Sequence, residues 1–201
     1  MMYKILTIGF LATLILLYSC NNQEQKKEPI AIKNELPKPF KSMEKIEVRP
    51  GLIFDIINWG RGADSLSNVL ILQSDSLRNS ASAFQIELDG KWIETFNTDM
   101  DNDGNPEIII FSKANKKYNP AEMYCVEYNR NEPLRIRFPD LSNKTSKQYK
   151  GNDKFYVKGG KLMREFDVYE NIEDPNAKPI DRKIIQYSLK SNNFDITEIK
   201  K

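Results

Sequence analysis

From residue 44 onward the chain carries short runs rich in Ile, Val, Phe, Tyr and Trp, separated by Gly, Asn, Asp and Pro. Such runs predict strands, because successive side chains of an extended backbone point to opposite faces and only one face needs to be apolar. The pattern predicts strands over residues 45–49, 52–58, 68–73, 83–88, 91–96, 107–112, 122–128, 134–138, 153–158, 161–169, 182–189 and 193–199. No window sustains a helical stripe. Residues 62–68 and 140–148 read as loops with room for a helical turn. Asp89-Gly90, between two alternating runs, predicts a hairpin turn, and Gly159-Gly160 predicts another. Many short strands at this spacing give an all-β expectation: a β-sandwich-like domain of short antiparallel strands.

The N-terminal pattern is different. After Lys4, an apolar run extends from Ile5 to Leu17, broken by Thr7, Gly9 and Thr13. That is the length of a signal-peptide core and too short to span a bilayer comfortably. It ends in Leu17-Tyr18-Ser19-Cys20. A leucine three residues before a cysteine, with a small residue just ahead of it, resembles the lipobox of bacterial lipoproteins. The resemblance implies that the Cys20 thiol is diacylated and holds the mature protein to a membrane. Two or more acyl chains, at roughly 0.8 kcal/mol per buried CH₂, give stable anchoring. Residues 21–43 are rich in Lys, Glu, Gln and Pro and have little to bury, so they read as a tether. A flexible chain of that length spans on the order of 25 Å. The expected organisation is a signal peptide over residues 1–19, a lipidated cysteine and tether over 20–43, and one β-rich domain over 44–201. The expected location is the cell envelope. Asn21 is not the Asp-type retention signal known in some bacteria, which points to the outer membrane rather than the inner.

Composition narrows the chemistry. The net charge of +2 shows no nucleic-acid footprint. There is no histidine, which removes Ser-His-Asp and Cys-His catalysis and the usual zinc ligand sets. Carboxylate chemistry stays open, but nothing in the sequence pairs two acids across a cleft, so the chain is read as a binding protein and not an enzyme. The two cysteines are Cys20 and Cys125. With Cys20 lipidated, Cys125 has no partner, and its place in a strand-like run makes it a buried small hydrophobe.

The sharpest local motif is Asp99-Met100-Asp101-Asn102-Asp103-Gly104-Asn105-Pro106-Glu107, followed by three isoleucines. Acids at the first, third, fifth and ninth positions with Gly at the sixth match a calcium loop. Ca²⁺ takes six to eight hard oxygens, and alternate residues of a tight loop can supply them. Because a strand follows directly, the loop resembles those of integrin-type propeller blades more than an EF-hand, whose twelfth-position acid is here Ile110. The expected ligands are Asp99, Asp101, Asp103, Glu107 and the Asn105 carbonyl, with Ca²⁺ as the ion. The plain alternative is a turn whose carboxylates cap backbone N–H groups.

The C-terminal half has its own cadence. It includes Gly151-Asn152-Asp153, then Leu162-Met163-Arg164-Glu165-Phe166, Val168-Tyr169, Asp174-Pro175-Asn176-Ala177-Lys178-Pro179, and a last strand with Arg182 and Tyr187. This resembles the periplasmic inhibitors of invertebrate-type lysozyme over roughly residues 83–190. The resemblance implies a β-sandwich-like domain, often a homodimer, that binds lysozyme and blocks its cleft with a Ser/Gly-rich loop ending in Tyr. Here that place holds Ser112-Lys113-Ala114-Asn115-Lys116-Lys117-Tyr118. Ser112 and Tyr118 are then the matching hydroxyls, Lys116 and Lys117 their helpers, and lysines stand where the family has glycines. The second function class is a calcium-stabilised envelope module that binds glycan or protein and shares only the fold. Arg164 points with Leu162 and Phe166 to the apolar side of its strand. It therefore needs a carboxylate, with Asp153 or Asp174 in range of the reading.

Overall fold

A computed structural model describes residues 36–61 and 66–199. The expected signal segment, Cys20 and most of the tether lie outside them. The described residues form an all-β domain of three four-stranded antiparallel sheets. The first sheet is β1 (Phe40–Arg49), β2 (Leu52–Trp59), β3 (Leu66–Asp75) and β4 (Ser80–Asp89). The second is β5 (Lys91–Thr98), β6 (Glu107–Lys113), β7 (Ala121–Asn129) and β8 (Glu132–Ile136). The third is β9 (Lys154–Lys158), β10 (Lys161–Val168), β11 (Asp181–Lys190) and β12 (Asn193–Ile199). In each sheet the strands neighbour one another in chain order. One turn of helix, α1 (Asn143–Ser146), starts at the Ser142 cap, whose hydroxyl oxygen accepts from the Thr145 N–H.

The sheets stack with the second in the middle, so there are two cores. One joins Leu52, Phe54, Ile56, Val69 and Ile71 of the first sheet to Ile108, Ile110, Val126 and Tyr128 of the second. The other joins Ile109, Phe111, Cys125 and Ile136 of the second to Phe155, Leu162, Phe166, Ile185, Tyr187 and Leu189 of the third. The alternation of β2 follows from its position on an outer sheet: Leu52, Phe54 and Ile56 face inward and are buried, while Ile53, Asp55 and Ile57 are half-buried. β6 does not alternate. Its residues Glu107 to Ser112 are all buried, because both of its faces are covered, which is why its sequence reads as an unbroken apolar run.

Two expectations are corrected. β1 starts at Phe40, ahead of the predicted strand and inside the predicted tether, and pairs with β2 from Phe40 opposite Trp59. It is an edge strand with mostly exposed or half-buried positions, so it needs few apolar residues and gives a weak signal. Asp89-Gly90 is not a hairpin turn. β4 ends the first sheet and β5 begins the second, so the chain passes between sheets at this point. Gly90 has φ +94°, and a Cβ there would lie 1.9 Å from the Lys113 carbonyl oxygen. Only glycine lets the backbones pass so closely. Gly159-Gly160 does join β9 and β10, with Lys158 opposite Lys161.

Cys125 is a free, buried thiol in the second core, as its surroundings in the sequence suggest. Arg164 is buried, and its Nε donates to Asp153 Oδ1 at 2.6 Å. Its guanidinium carbon also lies 5.1–5.5 Å from the ring centroids of Tyr149, Phe155 and Phe166. Burial works against the charge, but Asp153 and the Tyr187 and Tyr149 hydroxyls outweigh it and push the guanidinium pKa up.

Candidate metal centre

The acidic loop joins β5 to β6 at one end of the middle sheet. Met100 anchors it: the side chain is buried in the second core, while the backbone N–H donates to both carboxylate oxygens of Glu107, at 2.9 and 3.2 Å. Glu107 is itself fully buried and accepts from the Thr98 hydroxyl at 2.7 Å. Asn102 at φ +59° and Gly104 at φ +86° turn the chain between these anchors. The carboxylates then accept the loop's own N–H groups. Asp99 takes Gly104 N at 3.2 Å, Asp101 takes Asp103 N at 3.3 Å, and Asp103 takes Asn105 N at 2.8 Å. Asn105 Nδ2 also donates to Asp103 Oδ2 at 2.7 Å.

These bonds are the ones a plain capped turn would make, but they leave an excess. Asp99, Asp101 and Glu107 bring carboxylate oxygens within 4.8 Å of one another, and so do Asp101, Asp103 and Glu127. Glu127 lies on β7 directly opposite Glu107 and is 4% exposed. Its Oε2, like Asp99 Oδ1, is buried and has no hydrogen-bond partner. Among the described residues none of the five acids is paired with a Lys or Arg. Lys161 Nζ reaches the loop but donates to the Met100 carbonyl, at 2.5 Å. Two unit charges about 5 Å apart repel by about 3 kcal/mol at an effective dielectric constant of 20. Protonation answers part of this strain. Burial, then Asp103, Asp101, Glu107 and Asp99, push the Glu127 carboxyl up to about 7. Burial also raises Glu107, although the Thr98 hydroxyl and the Met100 N–H pull it back. A hard divalent cation would answer the strain more completely, and all the available donors are oxygens.

The structure thus brings together the predicted Asp99, Asp101, Asp103 and Glu107, with Asn105 in the same loop. Sequence reading missed Glu127. Its signal was a lone acid in the otherwise apolar end of the run from Met123 to Tyr128, which becomes meaningful only once the β6–β7 register is known.

The two hydroxyls of the proposed inhibitory loop are bonded within the protein, while its lysines stay on the surface. Ser112 is fully buried, and its hydroxyl donates to the Asp89 carbonyl at 2.9 Å. The Asp89 N–H donates to the Tyr124 hydroxyl at 2.8 Å, so Ser112 and Tyr124 clamp the passage between sheets from both sides. The Tyr118 hydroxyl donates to the Ile172 carbonyl at 2.7 Å. Lys116 bridges Asp89 at 2.5 Å and Glu122 at 3.3 Å, and Lys117 reaches Glu173 at 2.5 Å, all on the surface. The β6–β7 connection is ordered by Ala114 N to Pro120 O at 2.9 Å and Asn119 N to Lys116 O at 2.8 Å.

Fold and site together define an all-β protein of three stacked meanders with a carboxylate cluster at the end of its middle sheet. Comparison of the chain with protein-family models, with curated proteins and with solved structures gave no match.

Proposed function

We propose that this protein is a lipid-anchored cell-envelope binding module, not an enzyme, whose β domain holds Ca²⁺ on Asp99, Asp101, Asp103 and Glu127. Glu107 shapes the loop from behind through Thr98 and Met100 and offers oxygens to the same ion, and the Asn105 carbonyl completes the loop's contribution. The observation that carries this reading is the pair of buried, unpartnered oxygens, Glu127 Oε2 and Asp99 Oδ1, inside a cluster without a basic partner. The donor chemistry favours Ca²⁺ over softer metals, since no thiolate or imidazole is offered. The ion would tie β5, β6 and β7 together where the middle sheet ends, and so serve stability. Calorimetric titration of EDTA-stripped protein with calcium chloride tests it. Saturable binding with a rise in Tm supports the reading; no heat and superimposable melts reduce the loop to a capped turn.

Lysozyme inhibition is the second reading, and the position of the 112–118 segment directly after β6 is what favours it. Its two expected hydroxyl donors are engaged inside the protein, so a lysozyme contact would fall to the surface lysines, where an exposed rim charge contributes little. An inhibition assay across invertebrate, chicken and goose lysozymes tests it, and loss of activity in none of them removes it.

A further inference from the structure

A polar cleft of about 270 Å³ opens where the first and second sheets meet, beside the acidic loop. Three arginines line it, each from a different turn or strand end: Arg49 at the end of β1, Arg78 between β3 and β4, and Arg130 between β7 and β8. Tyr128 lines it as well. The Tyr128 ring is packed edge-on against Phe54 in the first core, and its hydroxyl is buried with no hydrogen-bond partner.

The guanidinium donors around the cleft outnumber the acceptors they meet. Asp75 lies behind Arg49 and Arg78 and is 4% exposed. A single oxygen, Oδ2, meets both guanidiniums, at 3.8 and 3.7 Å, while Oδ1 accepts the Leu77 and Arg78 N–H groups at 3.1 Å each. Both arginines therefore keep donors to spare. Arg130 has φ +60°, and its carbonyl accepts Gln73 Nε2 at 2.5 Å, which fixes the turn. Its guanidinium makes no ion pair or hydrogen bond among the described residues. Asp103 is on the rim, but its oxygens are occupied by Asn105 N and Nδ2. Three guanidiniums and one carboxylate, Asp103, line the cleft, with Asp101 and Glu127 within 4.8 Å of Asp103, so what is left over is guanidinium N–H donors, most clearly those of Arg130.

We propose that this cleft is a binding site for a small oxyanion group, a carboxylate, phosphate or sulfate, free or carried at the end of a sugar. A guanidinium presents a planar fork of N–H donors that matches such groups, and the fork can engage two oxygens at once. The anion relieves the repulsion among the three arginines and accepts from the Tyr128 hydroxyl, which otherwise stays buried without a partner. The volume equals the liquid share of about nine waters, which suits a small anion with a few carrier atoms. It lies below the usual range for larger organic ligands, about 300–1,000 Å³.

NMR titration of the full chain with inorganic phosphate, inorganic sulfate, acetate and glucuronate, in EDTA and low salt, tests the site independently of the calcium reading. Saturable shifts at the Asn129 and Arg130 amides are expected, with a Kd near the millimolar range. Tighter binding of phosphate or sulfate marks a tetrahedral ligand; tighter binding of glucuronate than acetate marks a sugar-borne carboxylate. Arg130→Gln should weaken binding about tenfold or more, since it removes a charged donor that no intramolecular contact uses. Tyr128→Phe, which keeps the ring against Phe54, should weaken it about threefold or more. Absence of saturable shifts with all four probes up to about 50 mM overturns the proposal. So does unchanged affinity in a folded Arg130→Gln protein.

Discussion

Glu107 and Glu127 stand directly opposite one another in the β6–β7 ladder, both buried. Like charges at opposed positions destabilise a sheet, and burial makes the opposition worse. The pair is tolerated in part because Glu107 is saturated with donors from Thr98 and Met100. Glu127 keeps an unpartnered oxygen, and that asymmetry assigns the two acids different work: one holds the loop, the other faces the charge cluster.

Glu127→Gln therefore separates the two roles. It should weaken Ca²⁺ binding by about tenfold or more, the scale for losing one charged ligand contact. At a Ca²⁺ concentration a hundredfold above the wild-type Kd, the ion stabilises the native state by roughly 2.7 kcal/mol, and most of that gain should vanish in the variant. Calcium titration and thermal melts with and without EDTA read both effects. An unchanged affinity would place the ion on the loop alone.

The metal-free protein should have an unusual pH profile. A carboxylate in the unfolded chain titrates near 4.5, whereas the Glu127 carboxyl in the folded protein is pushed up to about 7. Between these values the folded state holds the extra proton, so stability falls as pH rises through the window. The contribution of this one group is at most about 3 kcal/mol, lost between about pH 4.5 and pH 7. Urea unfolding in EDTA across that range should show the decline, and Glu127→Gln should flatten it. A stability that rises steadily with pH in EDTA would contradict the assignment.

Arg164 and Asp153 form a buried ion pair among three aromatic rings. Removing one partner strands the other charge, at a cost of about 3–5 kcal/mol. Asp153→Ala and Arg164→Ala should each lower stability by that amount. Arg164→Met should cost less than Arg164→Ala because it refills the space. Chemical denaturation of the three variants measures the ordering.

Lipidation at Cys20 is proposed from the sequence alone. Cys20→Ala should leave the protein unprocessed or release it from the membrane, and the mass of the wild-type mature chain should exceed the peptide mass by its acyl groups. Membrane fractionation and intact-mass measurement decide it; identical partition and mass in the two proteins would remove the anchor.

The strand content was legible in the sequence because period-two patterning reports directly on a face that is either buried or not. The Gly159-Gly160 hairpin, the buried Cys125 and the Arg164–Asp153 pair were legible for related reasons: each depends on neighbours within one hairpin or on a single buried face. The acidic loop was legible too, since its spacing is local. What the sequence could not decide was how the sheets stack. A run such as Ile108-Ile109-Ile110-Phe111 states only that both faces are covered, not by what; the tertiary structure covers one with the first sheet and the other with the third. The same limit hid the passage at Asp89-Gly90, which has the residues of a hairpin turn but joins strands of different sheets. It hid the inward engagement of Ser112 and Tyr118, whose partners are 23 and 54 residues away. It hid Glu127 and the three-arginine cleft, because a charged side chain acquires its neighbours only when distant turns converge. Local pattern determined the strands of this protein; long-range packing decided which acids share a site and which hydroxyls are free to bind anything.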